Sequence, residues 1–444
     1  MSADEQSQLR PLRQVVVLGA AVAVTIPGLV LAAAHPSLAH AMEAIIFGLG
    51  IVGSAFILSW AAEAAQLDIS AGLAIAVLAL IAVLPEYAVD FVFAWQGGES
   101  FAASGPACLP LGGTGSGSPC SLALANMTGA NRLLIGIGWS MVVFIAWNRI
   151  RKRDGASAAK RWTGVQLEPQ HSIELAYLTV ATLYSLTLPL KHSITPIDAA
   201  VLVTIFVLYT VRVSRAPAEE PHLVGPARYL GTFTKTARRI AIVVMFLFAA
   251  GVILACAERF AHALVATGAD FGISEFLLVQ WLAPLASEAP ELLVAGLYAW
   301  RLNTNAGLGT LVSSKVNQWT LLVGTLPIVF SLGAGGMHGL PIEAVQREEL
   351  FLTAAQSFFA IAVLSNLSIS VKEAWWLFTL FWAQFLLGAV VPSSLHGVER
   401  IAVACVYLLL GLQIVARDRQ RIPRLLRDGF RTPHRELTSD RTRS

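Results

Sequence analysis

The sequence contains twelve apolar stretches of about the length that an α-helix needs to cross a membrane. Such a helix takes about 20 predominantly apolar residues. The stretches lie near residues 14–34, 42–64, 71–95, 121–147, 172–190, 194–211, 240–261, 276–299, 307–330, 350–369, 374–391 and 401–416. Only 13% of the residues are charged, whereas a soluble chain has about a quarter. The sequence therefore predicts an all-α polytopic membrane protein, and it excludes a soluble enzyme and a nucleic-acid-binding protein.

Basic residues are concentrated in alternate loops. Six Lys or Arg residues lie in loop 148–161, six in loop 212–239, and nine arginines lie in the tail after residue 416, whereas loop 97–120 has none. Loops rich in Lys and Arg stay in the cytoplasm. With twelve spans, both termini are predicted to be cytoplasmic, in the plasma (inner) membrane, and the basic tail is predicted to be disordered and to contact anionic lipid.

Two features of the chain leave alternatives open. Arg10, Arg13 and the small-residue sequence 39–41 are typical of a signal peptide, although the apolar stretch between them is long for one, which favours a retained helix. Cys108 and Cys120 share loop 97–120, and they pair if that loop faces an oxidising compartment. The other two cysteines lie in apolar segments and are predicted to be small core residues.

Residues 84–95 and 289–300 align without a gap, at the ends of the third and eighth segments. The identical pairs are Pro85 and Pro290, Glu86 and Glu291, Val89 and Val294, Ala94 and Ala299, and Trp95 and Trp300. Each block is followed by a helix with a small, polar start. Because the two segments cross the membrane in opposite directions, the repeat is inverted. Inverted repeats with interrupted helices at the bilayer midplane are typical of secondary transporters, and proline frees backbone carbonyls there.

At these residues the sequence resembles the sodium/calcium exchanger superfamily of cation/calcium antiporters. In that family each of two inverted repeats has a G-T-S-x-P-E helix followed by a G-N-x-x-G-S-N-x-x-N/D helix. The resemblance implies a ten-helix inverted-repeat exchanger core, here segments two to eleven, with Glu86 and Glu291 at the centre of the ion site. It divides the chain into an extra N-terminal helix or signal peptide (1–40), the first repeat (41–215), the second repeat (216–395), an extra C-terminal helix (396–416) and a basic cytoplasmic tail (417–444).

The second helix of each repeat departs from the family pattern. The Ser and last Asn of that pattern fall on Ala130 and Leu134 in the first repeat, and on Ser314 and Gln318 in the second. The middle Asn is kept as Asn131, but the corresponding residue of the second repeat is Lys315. The Thr-Ser pair before Pro-Glu is replaced by Ala82 and Val83 in the first repeat and by Ser287 and Glu288 in the second. The first repeat has thus lost oxygen ligands, while the second has gained a carboxylate and a cation.

Charged residues near the predicted mid-membrane site have several open roles. Ionisable groups in a membrane are costly and usually functional. Glu288 lies one helical turn before Glu291, so the two carboxylates need a metal ion, a proton or Lys315 to compensate their charge. Lys315 either points into the site as a tethered cation or reaches back to the cytoplasmic interface. Asp90 is expected to have no closer role than lining the ion pathway. Arg132 is predicted to pair with a carboxylate, and Asp90 is one candidate.

Neutral oxygens are predicted to complete the site. The amides and hydroxyls of Asn126, Asn131, Ser287, Ser314 and Gln318 suit hard cations such as calcium or sodium, with Glu86 and Glu291 as the metal-binding carboxylates. Each of these polar groups alone also fits a helix–helix hydrogen bond.

The sequence therefore predicts a secondary antiporter that exchanges calcium or sodium for protons or sodium, with no cofactor and no enzymatic activity. Its partners are inorganic cations and the lipid bilayer, not nucleic acid. A sodium/proton antiporter without calcium transport and a non-transporting membrane scaffold are the alternatives.

Overall fold

The fold is a bundle of long α-helices. The computed structural model describes residues 11–34, 38–68, 84–109, 118–215, 223, 225–272 and 275–439. Among these residues, eight helices are long and apolar enough to cross a membrane. Each predicted segment coincides with a helix, although residues 71–83 of the third segment lie outside the described ranges. The prediction of an all-α polytopic membrane protein is confirmed.

The helices are named in chain order. In the first half they are α1 (Pro11–Ala34), α2 (His40–Ala65), α3 (Leu84–Ser104), α4 (Pro119–Leu133), α5 (Ser140–Asp154), α6 (Ala156–Arg161), α7 (Ser172–Ser185) and α8 (Pro196–Val213). In the second half they are α9 (Pro226–Gly231), α10 (Lys235–Phe271), α11 (Glu275–Trp300), α12 (Thr304–Asn317), α13 (Val323–Gly333), α14 (Ala344–Leu364), α15 (Val371–Val390), α16 (His396–Arg417), α17 (Arg421–Phe430) and α18 (His434–Ser439).

Short antiparallel strand pairs tie loops of the two halves together. Strand β1 (Val165–Gln166) pairs with β4 (Ser368–Ile369), and Val165 lies opposite Ile369. Strand β2 (Ser193–Ile194) pairs with β3 (Leu340–Pro341). Because each strand has only two residues, these pairs order the helix connections without forming a sheet layer.

The chain divides into two compact units. The first comprises Met1–Phe93, Leu109–Ser118 and Val213–Pro290, and the second comprises Ala94–Cys108, Pro119–Arg212 and Glu291–Ser444. The division falls within both Pro-Glu helices, α3 and α11. The sequence predicted that proline would interrupt helix α11. Helix α11 instead continues through residue 290 as one element. A spanning helix tolerates a proline where neighbouring groups satisfy the freed carbonyl.

The core of the first unit lies between α1, α2, α9 and α10. Its buried side chains include Ile57, Leu58, Trp60 and Ile253. At the end of α2, the Asp68 carboxylate receives hydrogen bonds from Arg238 Nε at 2.7 Å and Nη2 at 2.9 Å. These bonds lower the pKa of Asp68 below its ordinary value of 3.8.

In the second unit, glycines allow two helices to pack backbone to backbone. A Cβ at Gly98 of α3 would lie 2.3 Å from the carbonyl oxygen of Phe330, and a Cβ at Gly333 would lie 2.5 Å from that of Trp95. Small residues permit such close approach between membrane helices. Helix α3 therefore runs nine residues past its predicted end at Trp95, into the region that the sequence analysis assigned to a loop.

Cysteine placement resolves one open alternative. Cys108 and Cys120 form a disulfide bond, with their Cα atoms 6.0 Å apart. A disulfide requires an oxidising compartment, which agrees with the outward side predicted for loop 97–120. Cys256 is buried as predicted, whereas Cys405 is exposed on α16. The prediction that Cys405 is a core residue is wrong, because its position faces away from the packed side of the helix.

Through residue 439 the basic tail is folded, and over these residues the prediction that it is disordered is wrong. Helix α17 packs on α7, with Leu425 buried and Phe430 in an edge-to-face contact with Tyr177. The guanidinium of Arg212 donates to the carbonyl oxygens of Gly429, at 3.1 Å, and Thr432. Specific packing of one apolar face therefore offsets the entropy of ordering this arginine-rich segment.

Candidate ion-binding site

The two helices that follow the Pro-Glu blocks share an irregularity. Each passes through a π-helical segment, Leu134–Trp139 between α4 and α5 and Gln318–Leu322 between α12 and α13. Leu134 and Gln318 both fall on the last position of the family's second-helix motif, one in each repeat. Such segments are rare in helices and are frequent at functional sites. The two halves therefore share a local backbone feature as well as a sequence pattern.

Glu291 is held by a residue of the second motif helix. The Ser314 hydroxyl donates to Glu291 Oε2 at 2.6 Å. Glu291 is half-buried, so its carboxylate is within reach of water or an ion while one oxygen is already oriented. The structure thus brings together two of the residues that the sequence analysis selected, one from each helix of the second repeat.

Lys315 joins the two repeats within the second unit. Its side chain is fully buried, and Nζ donates to the backbone oxygen and to Oδ1 of Asn131, both at 2.7 Å. The ammonium also lies 5.2 Å from the ring centroid of Trp319, in the range of a cation–π contact. The alternative that Lys315 reaches the cytoplasmic interface is wrong, because the amide and carbonyl oxygens of Asn131 provide an internal partner for the charge.

Arg132 pairs with a carboxylate that the sequence analysis did not consider. Its Nη1 lies 2.6 Å from Glu349 Oε2, and Nη2 donates to the side-chain oxygen of Gln384. The same Glu349 also contacts Arg400 of α16 at 2.8 Å. The predicted segment began at residue 350, which left Glu349 just outside the membrane. The adjacent residues Glu348 and Glu349 at the start of this segment were the only sign in the sequence of a partner for Arg132.

The first unit carries the remaining acidic candidates, and all of them are buried. Glu86, Asp90 and Glu288 are each at most 2% exposed. The Ser287 hydroxyl donates to carbonyl oxygens of its own helix, Ala283 at 3.2 Å and Pro284 at 3.3 Å. Such bonds are usual for Ser in membrane helices, and they leave the lone pairs of the hydroxyl oxygen available, so the role of Ser287 as an ion ligand stays a prediction.

The amide candidates Asn126 and Gln318 are fully buried in the second unit. Amide and carboxylate oxygens are the donors that calcium and sodium prefer. In the described ranges, no group of three or more His, Cys, Asp or Glu side chains lies close enough to hold a metal ion.

Comparison with known families and structures now decides the identity. The model of the sodium/calcium exchanger protein family matches residues 41–215 and 241–391. The protein belongs to this family. It is a membrane-embedded cation antiporter, and the predicted membership of the sodium/calcium exchanger superfamily is confirmed.

Two solved structures illustrate the relationship of this exchanger to other proteins. The H⁺/Ca²⁺ exchanger CAX is 40% identical, with a TM-score of 0.83, and the alignment covers 96% of this chain and 98% of that chain. The Ca²⁺/H⁺ antiporter protein YfkE is 14% identical, with a TM-score of 0.54, over 89% of this chain and 99% of that chain. The second likeness concerns the fold alone. A search of curated proteins finds no match.

Proposed function

We propose that this exchanger moves Ca²⁺ against protons by alternating access. The proposal is carried by the 40% identity, over nearly the whole chain, to a structure described as an H⁺/Ca²⁺ exchanger. The local chemistry supports it, because carboxylates bind either a hard cation or protons, and the competition between the two couples their movement.

Glu86 and Glu291 are the proposed ion-binding carboxylates, one from each repeat. Ser314 orients the carboxylate of Glu291, and Asn126 and Gln318 contribute neutral oxygens. Glu288 and Asp90 are additional buried carboxyls that share protons with the site. The burial of Glu86, Asp90 and Glu288 supports these roles, since ionisable groups buried in a membrane protein are costly and usually functional.

Lys315 has a separate role in the proposal, that of a permanent internal cation. Its ammonium lies between two oxygens of Asn131, which are groups of the kind that bind a monovalent ion. A tethered charge at this place removes the need for a bound sodium ion. The exchanger is therefore proposed to be independent of sodium.

Flux measurements test the coupling. The purified protein is reconstituted into liposomes. Uptake of ⁴⁵Ca²⁺ is measured under a pH gradient, with an acidic liposome interior, and compared with uptake under a sodium gradient. We expect uptake under the pH gradient only, and loss of uptake in Glu291→Gln. Glu258→Gln is the matched control, because Glu258 is an exposed carboxylate of α10 whose partner is His262. Uptake driven only by sodium would contradict the proton coupling.

The alternatives give distinct results in the same liposomes. A sodium/proton antiporter moves ²²Na⁺ under the pH gradient and no calcium. A scaffold moves no hard cation.

Substitution of Lys315 tests the internal cation. In Lys315→Asn the ammonium is removed and an amide takes its place, so we expect calcium uptake to become dependent on sodium. If the ion preference and the pH dependence of Lys315→Asn match those of the wild type, the internal-cation role is wrong.

A further inference from the structure

A buried ion network connects the last membrane-length helix, α16, to the helix that carries Asn131. Arg132 is 2% exposed and pairs with Glu349 of α14. Glu349 also pairs with Arg400 of α16, and Arg400 Nη1 lies 2.9 Å from Glu348. Helix α16 lies beyond residue 391, where the match to the family model ends. A helix outside the family region thus contributes a charge to the interior of the second unit.

The backbone next to Arg132 is held by side chains as well. The carbonyl of Asn131 accepts from Lys315 Nζ at 2.7 Å, and the carbonyl of Arg132 accepts from Gln356 Nε2 at 3.5 Å. Both carbonyls lie just before the π-helical segment that begins at Leu134. Bonds from residue i to i+5 shift the helical ladder, so carbonyls at such a junction need other donors. Helix α14 supplies two of the groups that hold this junction, Glu349 and Gln356.

The ion pairs of the network join two arginines to two glutamates. Arg132 and Arg400 carry two positive charges, and Glu348 and Glu349 carry two negative charges when ionised. Glu399 of α16 also lies within electrostatic range of both arginines. Glu349 is central because each of its carboxylate oxygens contacts a different arginine. Removal of one partner from a buried network leaves an uncompensated charge, so the remaining partners must move. Loss of the Glu349 charge would therefore release Arg132 and the backbone next to it.

We propose that Glu349, supported by Arg400, is a positioning residue for ion binding. It fixes Arg132, and thereby sets the place of the Asn131 oxygens and of the Lys315 ammonium that they bind. This inference rests on the proposed function, because its consequence is a change in the affinity for the transported ion. Glu349 and Arg400 do not touch the ion themselves, and their effect is on affinity more than on turnover.

Transport kinetics of Glu349→Gln test the proposal. In liposomes with a pH gradient, we expect the KM for ⁴⁵Ca²⁺ to rise about tenfold while kcat stays within about twofold, since positioning affects binding before the transport step. Arg400→Gln is expected to raise KM in the same direction, and Arg400→Lys, which keeps the charge next to Glu349, is expected to recover most of the affinity.

Asp198→Asn is the matched control for a purely structural role. Asp198 is a fully buried carboxylate in the same unit, and it binds Lys191, the Tyr184 hydroxyl and Thr195. Its substitution should lower the melting temperature in detergent without a change in KM. If Glu349→Gln loses thermal stability as Asp198→Asn does, and its KM stays at the wild-type value, Glu349 is structural and the proposal is wrong.

Two further outcomes are decisive. Should Glu349→Gln fail to fold, the two Arg400 variants decide, and a wild-type KM in Arg400→Gln contradicts the proposal. Absence of calcium uptake by the wild type contradicts the proposed function instead. The same variants are then compared with the cation that the wild type does transport, and absence of any transport overturns both proposals.

Discussion

Replacement of Ser314 by alanine removes the hydroxyl that donates to Glu291 at 2.6 Å. A hydrogen bond to a charged group contributes about 1.5–3 kcal/mol. Glu291 is half-buried, so water replaces part of the lost interaction, and the lower value applies. Because about 1.4 kcal/mol corresponds to a factor of ten in an equilibrium constant, we expect Ser314→Ala to raise the KM for calcium about tenfold.

The assay is initial-rate ⁴⁵Ca²⁺ uptake into liposomes under a fixed pH gradient, across a range of calcium concentrations. Ser314→Thr keeps the hydroxyl and should stay within about threefold of the wild-type KM, since β-branched residues cost little in a helix. Ser313→Ala is the matched control. Ser313 is the adjacent residue, and its hydroxyl bonds to Glu174, at 3.5 Å, and to Tyr209. Equal KM values for Ser313→Ala and Ser314→Ala would refute the orienting role of Ser314.

The remaining predictions concern stability. Asp68→Asn should lower the free energy of unfolding by about 2 kcal/mol at neutral pH, because the Asp68 carboxylate accepts charge-assisted hydrogen bonds from Arg238. Since the pKa of Asp68 is lowered from 3.8, this difference from the wild type should persist down to that pH and vanish as the pH falls through the folded-state value, which thermal denaturation across a pH series checks. Reduction of the disulfide bond between Cys108 and Cys120, 12 residues apart, should lower the free energy of unfolding by about 3 kcal/mol. The exposed Cys405 is the control, and Cys405→Ser should leave the melting temperature unchanged.

Much of the architecture was predictable because it depends on local properties of the chain. Hydropathy alone located the long apolar helices, since a membrane-spanning segment needs about 20 apolar residues in sequence. The repeat of Pro-Glu blocks identified the family, and the family motif of the second helix placed Leu134 opposite Gln318, where both helices become π-helical. Helix ends were less accurate, because the extension of α3 to Ser104 depends on glycine packing against Phe330 that no local signal reveals.

The pairing of buried charges was not predictable from the sequence. Arg132 and Glu349 are 217 residues apart, and Asp90, which is much nearer in sequence, was also a candidate partner for Arg132. Lys315 offered two directions for its side chain, and the choice depended on the distant Asn131. Hydrogen-bond partners of this kind are set by tertiary packing, which one sequence without its fold does not specify. The proposed pairing of Glu86 with Glu291 stays a prediction.

The π-helical segments in both motif helices have a consequence for comparing exchangers. An inserted residue turns everything beyond it by about 100° around the helix axis, because an α-helix has 3.6 residues per turn. A relative that lacks the insertion in one helix only would present a different face of that helix after the junction, even if every motif residue were identical. Alignments of this family should therefore be inspected for single-residue gaps near positions 134 and 318. Beyond such a gap, identical residues in two relatives point in different directions from the helix axis.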